Sequence, residues 1–313
     1  MVPQLTCEAP VFPDMNPNVK GALFMIAAMF GFAAEDALLK ASFETVPRGV
    51  AFTAFGFMAA VFCALLSVRA GEKIYPPEAL SRGLMTRSGI ELFGRIFFTL
   101  SLAFVSLSLT SVILQATPLV VTLGAALLFG EKVGPRRWTA MLIGFVGVLL
   151  ILRPTPEHFE PLMILPVLGM LGFAGRDLAT RAAPAHISGR QLGTLGFTVV
   201  TMAGLVIWAF DPRPPTGPGI GWLWVLGAAC VGTFAYNALT TAMRTGEVAV
   251  VAPFRYSRLL IALAVAYVAF GERVDALTFL GAALIVGSGL YTLIRSARTA
   301  TPKPLSPRKE EGA

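Results

Sequence analysis

Apolar residues along this chain gather into long unbroken runs instead of alternating. Ten runs can be traced, at 20–40, 49–68, 90–110, 111–130, 137–153, 162–182, 190–210, 220–243, 247–270 and 276–295. Each is close to the roughly 20 residues that carry an α-helix across a bilayer core of about 30 Å. Turn chemistry separates them: KIYPPEA at Lys73–Ala79, RPTPEHFEP at Arg153–Pro161 and DPRPPTGPG at Asp211–Gly219. Proline fixes φ and removes a backbone donor, so such strings break helices and sit in water. Between the third and fourth runs only the small polar stretch Ser106–Ser111 marks a turn. The pattern predicts an all-α integral membrane protein with ten transmembrane helices.

Composition narrows this further. Of the 313 residues 55% are hydrophobic and 14% charged, where a soluble domain carries about a quarter charged. The formal charge of +7 does not point to nucleic acid, because the basic residues mark loops and tail. With the N-terminus in the cytoplasm, sixteen of the 25 Lys and Arg fall on the inner side, Arg82 and Arg87 among them, and five on the outer side. That bias orients both termini inward in a bacterial inner membrane. The opening residues lack a basic region before a short apolar core, so no cleaved signal peptide is expected and the first helix serves as its own insertion signal. Residues 1–19 form a cytoplasmic segment, and the proline-rich tail 296–313 is expected to be disordered.

Cys7, Cys63 and Cys230 form no CxxC, and both histidines, His158 and His186, fall in loops. Neither a metal nor another cofactor is expected. No GxxxxGK[ST] phosphate loop occurs, which argues against an ATP-driven pump. An integral membrane enzyme acting on lipid would need a constellation such as DDxxD or HxxxH, and none is present. A retinal-type receptor would need a lysine deep in a late helix, and the last five runs contain none.

The chain repeats itself. GFAAEDALLK at 31–40 returns as GFAGRDLATR at 172–181, and GEKV at 130–133 returns as GERV at 271–274. Both matches have the same offset, 141 residues. Residues 20–153 and 162–295 are therefore two repeats of five spans each, and an odd number of spans inserts the second upside down relative to the first. Lys132, Arg136 and Arg137 follow the first motif, whereas Arg273 and Asp275 follow the second, as an outward-facing copy requires. Inverted repeats characterise alternating-access transporters, whose site lies between the halves near midplane.

Taken together, these pieces resemble the drug/metabolite transporter superfamily, EamA type, from about Gly21 to Arg295. The similarity is densest at ILQATPLVVTLGAALLFGEKVGPRRW (113–138) and at VAPFRYSRLLIALAVAYVAFGERVDALTFLGAALIVGSGLY (251–291). The resemblance implies a secondary, non-ATP transporter of a small organic metabolite. The FRYS and RDLATR variants look most like members described as riboflavin or S-adenosylmethionine transporters. An exporter of amino acids or other metabolites is the alternative within the superfamily. A monomer and a homodimer are both compatible with it.

A charge at membrane depth costs roughly 2.5–3.5 kcal/mol on insertion scales, so it must be paired or functional. Arg255 and Arg258 follow Pro253 in the ninth run; counted from a helix start near Glu247, Arg255 lies about 12 Å in. Phe254 and Tyr256 flank it, a setting that can hold an anionic group or a planar ring. Gln115 maps onto Tyr256 by the repeat, and Tyr236 and Asn237 in the eighth run add hydrogen-bonding groups. These seven are the expected substrate contacts. Glu35, Asp36, Arg176, Asp177, Glu91 and Arg95 are the expected charge-pairing or coupling residues. Asp36–Lys40, Asp177–Arg181 and Glu91–Arg95 have the i,i+4 spacing of helical ion pairs. Glu35, Asp36 and Asp177 are the acidic candidates to face Arg255.

Overall fold

The computed structural model describes residues 15–105, 113–153, 161–210, 214, 217, 219–261, 264 and 275–299. Among them every regular element is helical: α1 (Pro17–Ser42), α2 (Arg48–Arg69), α3 (Arg82–Phe104), α4 (Thr117–Phe129), α5 (Pro135–Leu152), α6 (Ile164–Ala182), α7 (Gly189–Phe210), α8 (Ile220–Thr245), the short α9 (Val248–Val251) and α10 (Ala276–Thr299). The expectations for residues 1–14 and for the tail beyond 299 lie outside the described residues. Among the described residues five stretches are long and apolar enough to cross a membrane: Pro17–Leu39, Arg48–Arg69, Pro161–Ala182, Gly189–Phe210 and Ile220–Thr245.

Local chemistry sets the helix ends. Asn16 opens α1, its side-chain oxygen accepting the Asn18 N–H at 2.9 Å ahead of the first turn. Ser81 caps α3 through Leu84. Helix α4 stops at Gly130, whose φ of 64° suits a residue without Cβ. At the two equivalent entries into the last helix of each repeat the solutions differ. Gly134 followed by Pro135 begins α5, whereas the Asp275 carboxylate caps α10 by accepting the Thr278 N–H at 3.1 Å.

Three boundaries differ from the sequence reading. The third helix begins at Arg82, well ahead of 90, because Arg82 and Arg87 are part of it and not of a loop. Arg87 is 1% exposed, so its count among inner-loop charges is corrected: buried partners hold it inside the bundle. The fourth helix starts at Thr117, and residues 106–112 are outside the described part. The ninth run is not one straight helix. After α9 the chain tightens into a 3₁₀ turn over Ala252–Tyr256 and resumes α-helix at Ser257. Pro253 sits near the start of that turn, where its missing N–H breaks the ladder.

The two halves pack by exchange. Helix α1 lies along α8, α2 along α7, α3 along α6, and α5 along α10. Swapping repeats, 141 residues apart, turns the α1–α8 pair into α6–α3 and maps α2–α7 and α5–α10 onto themselves. The self-mapping pairs are antiparallel: a Cβ on Gly49 would meet Trp208, on Gly56 Thr201 and on Gly193 Cys63. Small residues permit these approaches. Gly172 would place a Cβ 2.4 Å from the Gly94 Cα, and at the exchanged crossing Gly31 would place one 2.7 Å from the Ala235 Cβ. Large apolar side chains such as Phe57, Leu127, Phe210 and Phe279 point outward, the reverse of a soluble core.

Candidate functional site

A chain of alternating charges runs through the interior. Arg87 of α3 donates from Nε to the Thr180 hydroxyl at 3.0 Å and from Nη2 to the Tyr236 hydroxyl, and pairs with Glu91 at 3.4 Å. Glu91 is wholly buried and accepts from Arg176 at 3.4 Å and from the Tyr236 hydroxyl at 3.3 Å. Arg176 of α6 donates twice to one oxygen of Asp177, at 3.0 and 2.8 Å. The other Asp177 oxygen takes Arg255. Glu91, Arg176 and Asp177, in the middle of the chain, each have an oppositely charged partner on both sides, and Arg87 and Arg255 close its two ends. Arg176 also lies over the rings of Phe173 and Tyr236, at 5.5 and 5.9 Å.

Beside this chain lies a cavity of about 110 Å³. Helix α1 contributes Met29, Phe32, Glu35 and Asp36; α3 contributes Arg95 and Phe98; the entry to α4 contributes Leu114, Gln115 and Thr117; α6 contributes Phe173 and Arg176; and the broken ninth segment contributes Arg255 and Arg258. Arg258 pairs with Asp36, and Arg95 lies over Phe173 at 5.6 Å. The 3₁₀ turn matters here, because it brings Arg255 and Arg258 to one cavity.

Glu35 is the exception to pairing. It is 4% exposed, and its Oε2 has no hydrogen-bond partner. The repeat explains why. Glu35 corresponds to Arg176, and Gly232 corresponds to Glu91. In one half Arg176 meets Glu91; in the exchanged position Glu35 meets Gly232, where an added Cβ would fall 2.9 Å from Oε2.

Seven of the expected residues thus share the cavity: Arg255, Arg258, Gln115, Glu35, Asp36, Arg176 and Arg95. Asp177 is the acid that faces Arg255. The others stand elsewhere. Tyr256 is 1% exposed and packs against Val148 and Ile285. Phe254 packs against the apolar core near Gly289. Tyr236 and Glu91 belong to the charge chain behind the cavity. The Asn237 amide donates to the Thr233 carbonyl in its own helix at 2.8 Å. The i,i+4 pairings of Glu91 with Arg95 and of Asp177 with Arg181 need correction, because tertiary partners and, for Glu91, the other helical neighbour Arg87 take their place. Asp36 takes Arg258; Glu91 takes Arg87 and Arg176; Arg181 reaches the Met243 carbonyl at 3.2 Å and Glu131 at 3.9 Å. The side chain of Lys40 is outside the described part. Sequence reasoning passed over the aromatic lining, Phe32, Phe98 and Phe173. Phe32 and Phe173 are equivalent positions within the duplicated GFA motif, which was the available signal.

The GEKV motif acquires a physical role. The Glu131 carboxylate accepts the N–H groups of Val248 and Ala249, both at 3.2 Å, and so caps α9. Asn18 accepts the Glu247 N–H at 2.8 Å, and Arg137 pairs with Glu247. These contacts tie the start of α1, the α4–α5 loop and α9 together at one end of the bundle. Two loop carboxylates have shifted ionisation. The Arg153 hydrogen bond, with help from Thr278, pulls Asp275 down to about 2. Partial burial pushes Glu72 up, but Arg190 and Ser188 together hold it below the usual carboxylate value.

Comparison with known proteins places this geometry in context. The EamA-like transporter family matches residues 19–153 and again residues 161–294. A riboflavin transporter of Rhizobium johnstonii is 27% identical over 289 residues, covering 90% of this chain and 93% of that protein. A riboflavin transporter of Vibrio cholerae is 30% identical over 174 residues, a match that spans 56% of this chain and 58% of that protein. An S-adenosylmethionine uptake transporter of Rickettsia prowazekii is 25% identical, over 67% of this chain and 71% of its own. A crystal structure with a TM-score of 0.75 and 20% identity covers 89% of this chain and 98% of its own, a likeness of fold.

Proposed function

Because the chain belongs to the EamA-like transporter family, we propose that it moves a small organic metabolite across the bacterial inner membrane by alternating access, without ATP. In this reading ten spans form two repeats, 20–153 and 162–295, inserted in opposite senses with both termini in the cytoplasm. The antiparallel packing of counterpart helices, α2 on α7 and α5 on α10, supports the inversion. The observation that carries the reading is the cavity between the halves, to which both repeats contribute charged residues. Arg255, Arg258, Gln115, Arg95 and Glu35 are its substrate contacts. Arg87, Glu91, Arg176 and Asp177 hold the walls in register. The broken ninth segment, with its 3₁₀ turn at Arg255, is the element that shifts between inward and outward states.

The substrate is riboflavin, in line with the names of two relatives. A reconstituted chain should fill liposomes with riboflavin down its gradient, and Arg255→Met should abolish uptake while leaving the amount of inserted protein unchanged. Full uptake by Arg255→Met would remove the cavity from the transport path. Export of a metabolite is the second reading, favoured by the pseudopaline exporter of Pseudomonas aeruginosa, 24% identical over 85% of this chain. Counterflow run in both orientations separates the two.

A further inference from the structure

Two polar atoms at the cavity wall have no partner: Oε2 of Glu35, an acceptor, and Nε of Arg255, a donor. Both residues line the same cavity, and a buried polar atom left unmet is unfavourable. The remaining charged groups are already committed to one another, Arg258 to Asp36 and the second Asp177 oxygen to Arg255. Glu35 Oε2 and Arg255 Nε thus add one buried acceptor and one buried donor to what the Gln115 amide offers the same cavity. Phe32, Phe98 and Phe173 supply apolar ring faces. The face of Phe173 is already in use, with the guanidinium groups of Arg95 and Arg176 within 5.6 Å of its centre.

The charge count decides between ligand types. In and beside the cavity five arginines (87, 95, 176, 255, 258) stand with four carboxylates (35, 36, 91, 177). The excess is positive, and it is screened little inside the bundle. A cationic solute would enter against that field, and Phe173, an aromatic face that could have offset it, is taken. A neutral solute is not opposed.

We propose that the cavity takes a neutral planar heterocycle that turns an adjoining N–H and C=O edge, as in an imide, toward Glu35 and Arg255. The N–H donates to the Glu35 carboxylate, the carbonyl accepts from Arg255 Nε, and the ring lies against Phe32 and Phe98. This rests on the transport reading above and narrows it. The flavin ring of riboflavin has such an imide; S-adenosylmethionine is cationic and has an amino-acid end instead. Gly232 is the residue that leaves Glu35 free to receive the ligand, because a side chain there would press on Oε2.

The test uses the full chain in proteoliposomes with riboflavin, 3-methylriboflavin, whose imide N–H is blocked, and S-adenosylmethionine. The wild-type chain should take up riboflavin and bind the 3-methyl analogue at least about tenfold more weakly, the equivalent of one lost hydrogen bond at about 1.4 kcal/mol. Gly232→Ala presses on the end of the Glu35 side chain at 2.9 Å and on the edge of the Phe55 ring at 3.1 Å, and should weaken riboflavin about tenfold while leaving 3-methylriboflavin unchanged. Equal affinity for the two flavins overturns the inference and leaves transport standing. So does uptake of S-adenosylmethionine in preference to riboflavin. Uptake of none of the three overturns the transport reading itself.

Discussion

Replacing Gly172 with alanine should separate α3 from α6 and disarm the charge chain with the smallest possible side chain. An alanine Cβ at this site lies 2.4 Å from the Gly94 Cα and 2.7 Å from its nitrogen. Both are backbone atoms, so no rotamer change relieves the overlap. Carbon atoms rest at about 3.5–4.0 Å, so the helices must part by about 1 Å. Overpacking of this kind costs about 1–3 kcal/mol. Better helix propensity returns up to about 1 kcal/mol. The separation also stretches the Glu91–Arg176 pair, which stands at 3.4 Å across the same two helices. Gly89→Ala on α3 is the control, since nothing lies within 4 Å of its added Cβ; it gains the propensity alone. Thermal aggregation of purified protein, followed by fluorescence-detected size exclusion, should show Gly172→Ala melting below the parent and Gly89→Ala at or above it. The reverse order would refute the packing argument.

Other expectations follow from particular side chains. Tyr256→Phe should keep full transport and equal or greater thermal stability, because its hydroxyl is buried without a partner between α5 and α10 and its loss removes a desolvation cost; lost uptake would return Tyr256 to the site. Glu131→Ala should remove the cap from α9 at about 0.5–2 kcal/mol and make thiol probes at that end of the bundle more reactive; unchanged labelling would mean that the cap does not hold the end closed. The Arg153–Asp275 clasp has a carboxylate pulled down to about 2, so its contribution is fully present above the ordinary carboxylate value near pH 4 and lost as pH falls through 2. Asp275→Asn should therefore lower stability at neutral pH and flatten its acid dependence below pH 4; an unaltered acid limb in a pH series would contradict this.

Much of this was legible in the chain itself. Ten runs, two repeats and the shared offset follow from apolar pattern and a duplicated GFA and GE(K/R)V. The equivalence extends to the helix bounds, since α2 and α7 are displaced by the same offset at both ends. What the pattern could not give was pairing at a distance. Arg87 looks like a loop charge because it stands ten residues after Pro77 of the KIYPPEA turn, and only α6 and α8 packed against it reveal the Thr180 and Tyr236 hydroxyls that bury it. The expected Asp177–Arg181 and Glu91–Arg95 pairs gave way for the same reason, since Arg255 and Arg176 arrive from other segments, while Arg87 holds Glu91 at the same i,i+4 spacing. Tyr256 sits beside Arg255 in sequence but packs against Val148 and Ile285 and not in the cavity, because a 3₁₀ turn rotates successive side chains by about 120°. Glu35 was legible as a sign change against Arg176, but its lack of a partner needed Gly232 in place.

The central claim is that the cavity walled by α1, α3, α6 and the broken ninth segment is where the solute sits. Alkylation of Gln115→Cys, in a chain whose three native cysteines are serine, measures this directly. Saturating riboflavin is predicted to slow labelling of that thiol severalfold in the reconstituted protein. Labelling at the same rate with and without riboflavin, in a preparation that still transports it, would contradict the account.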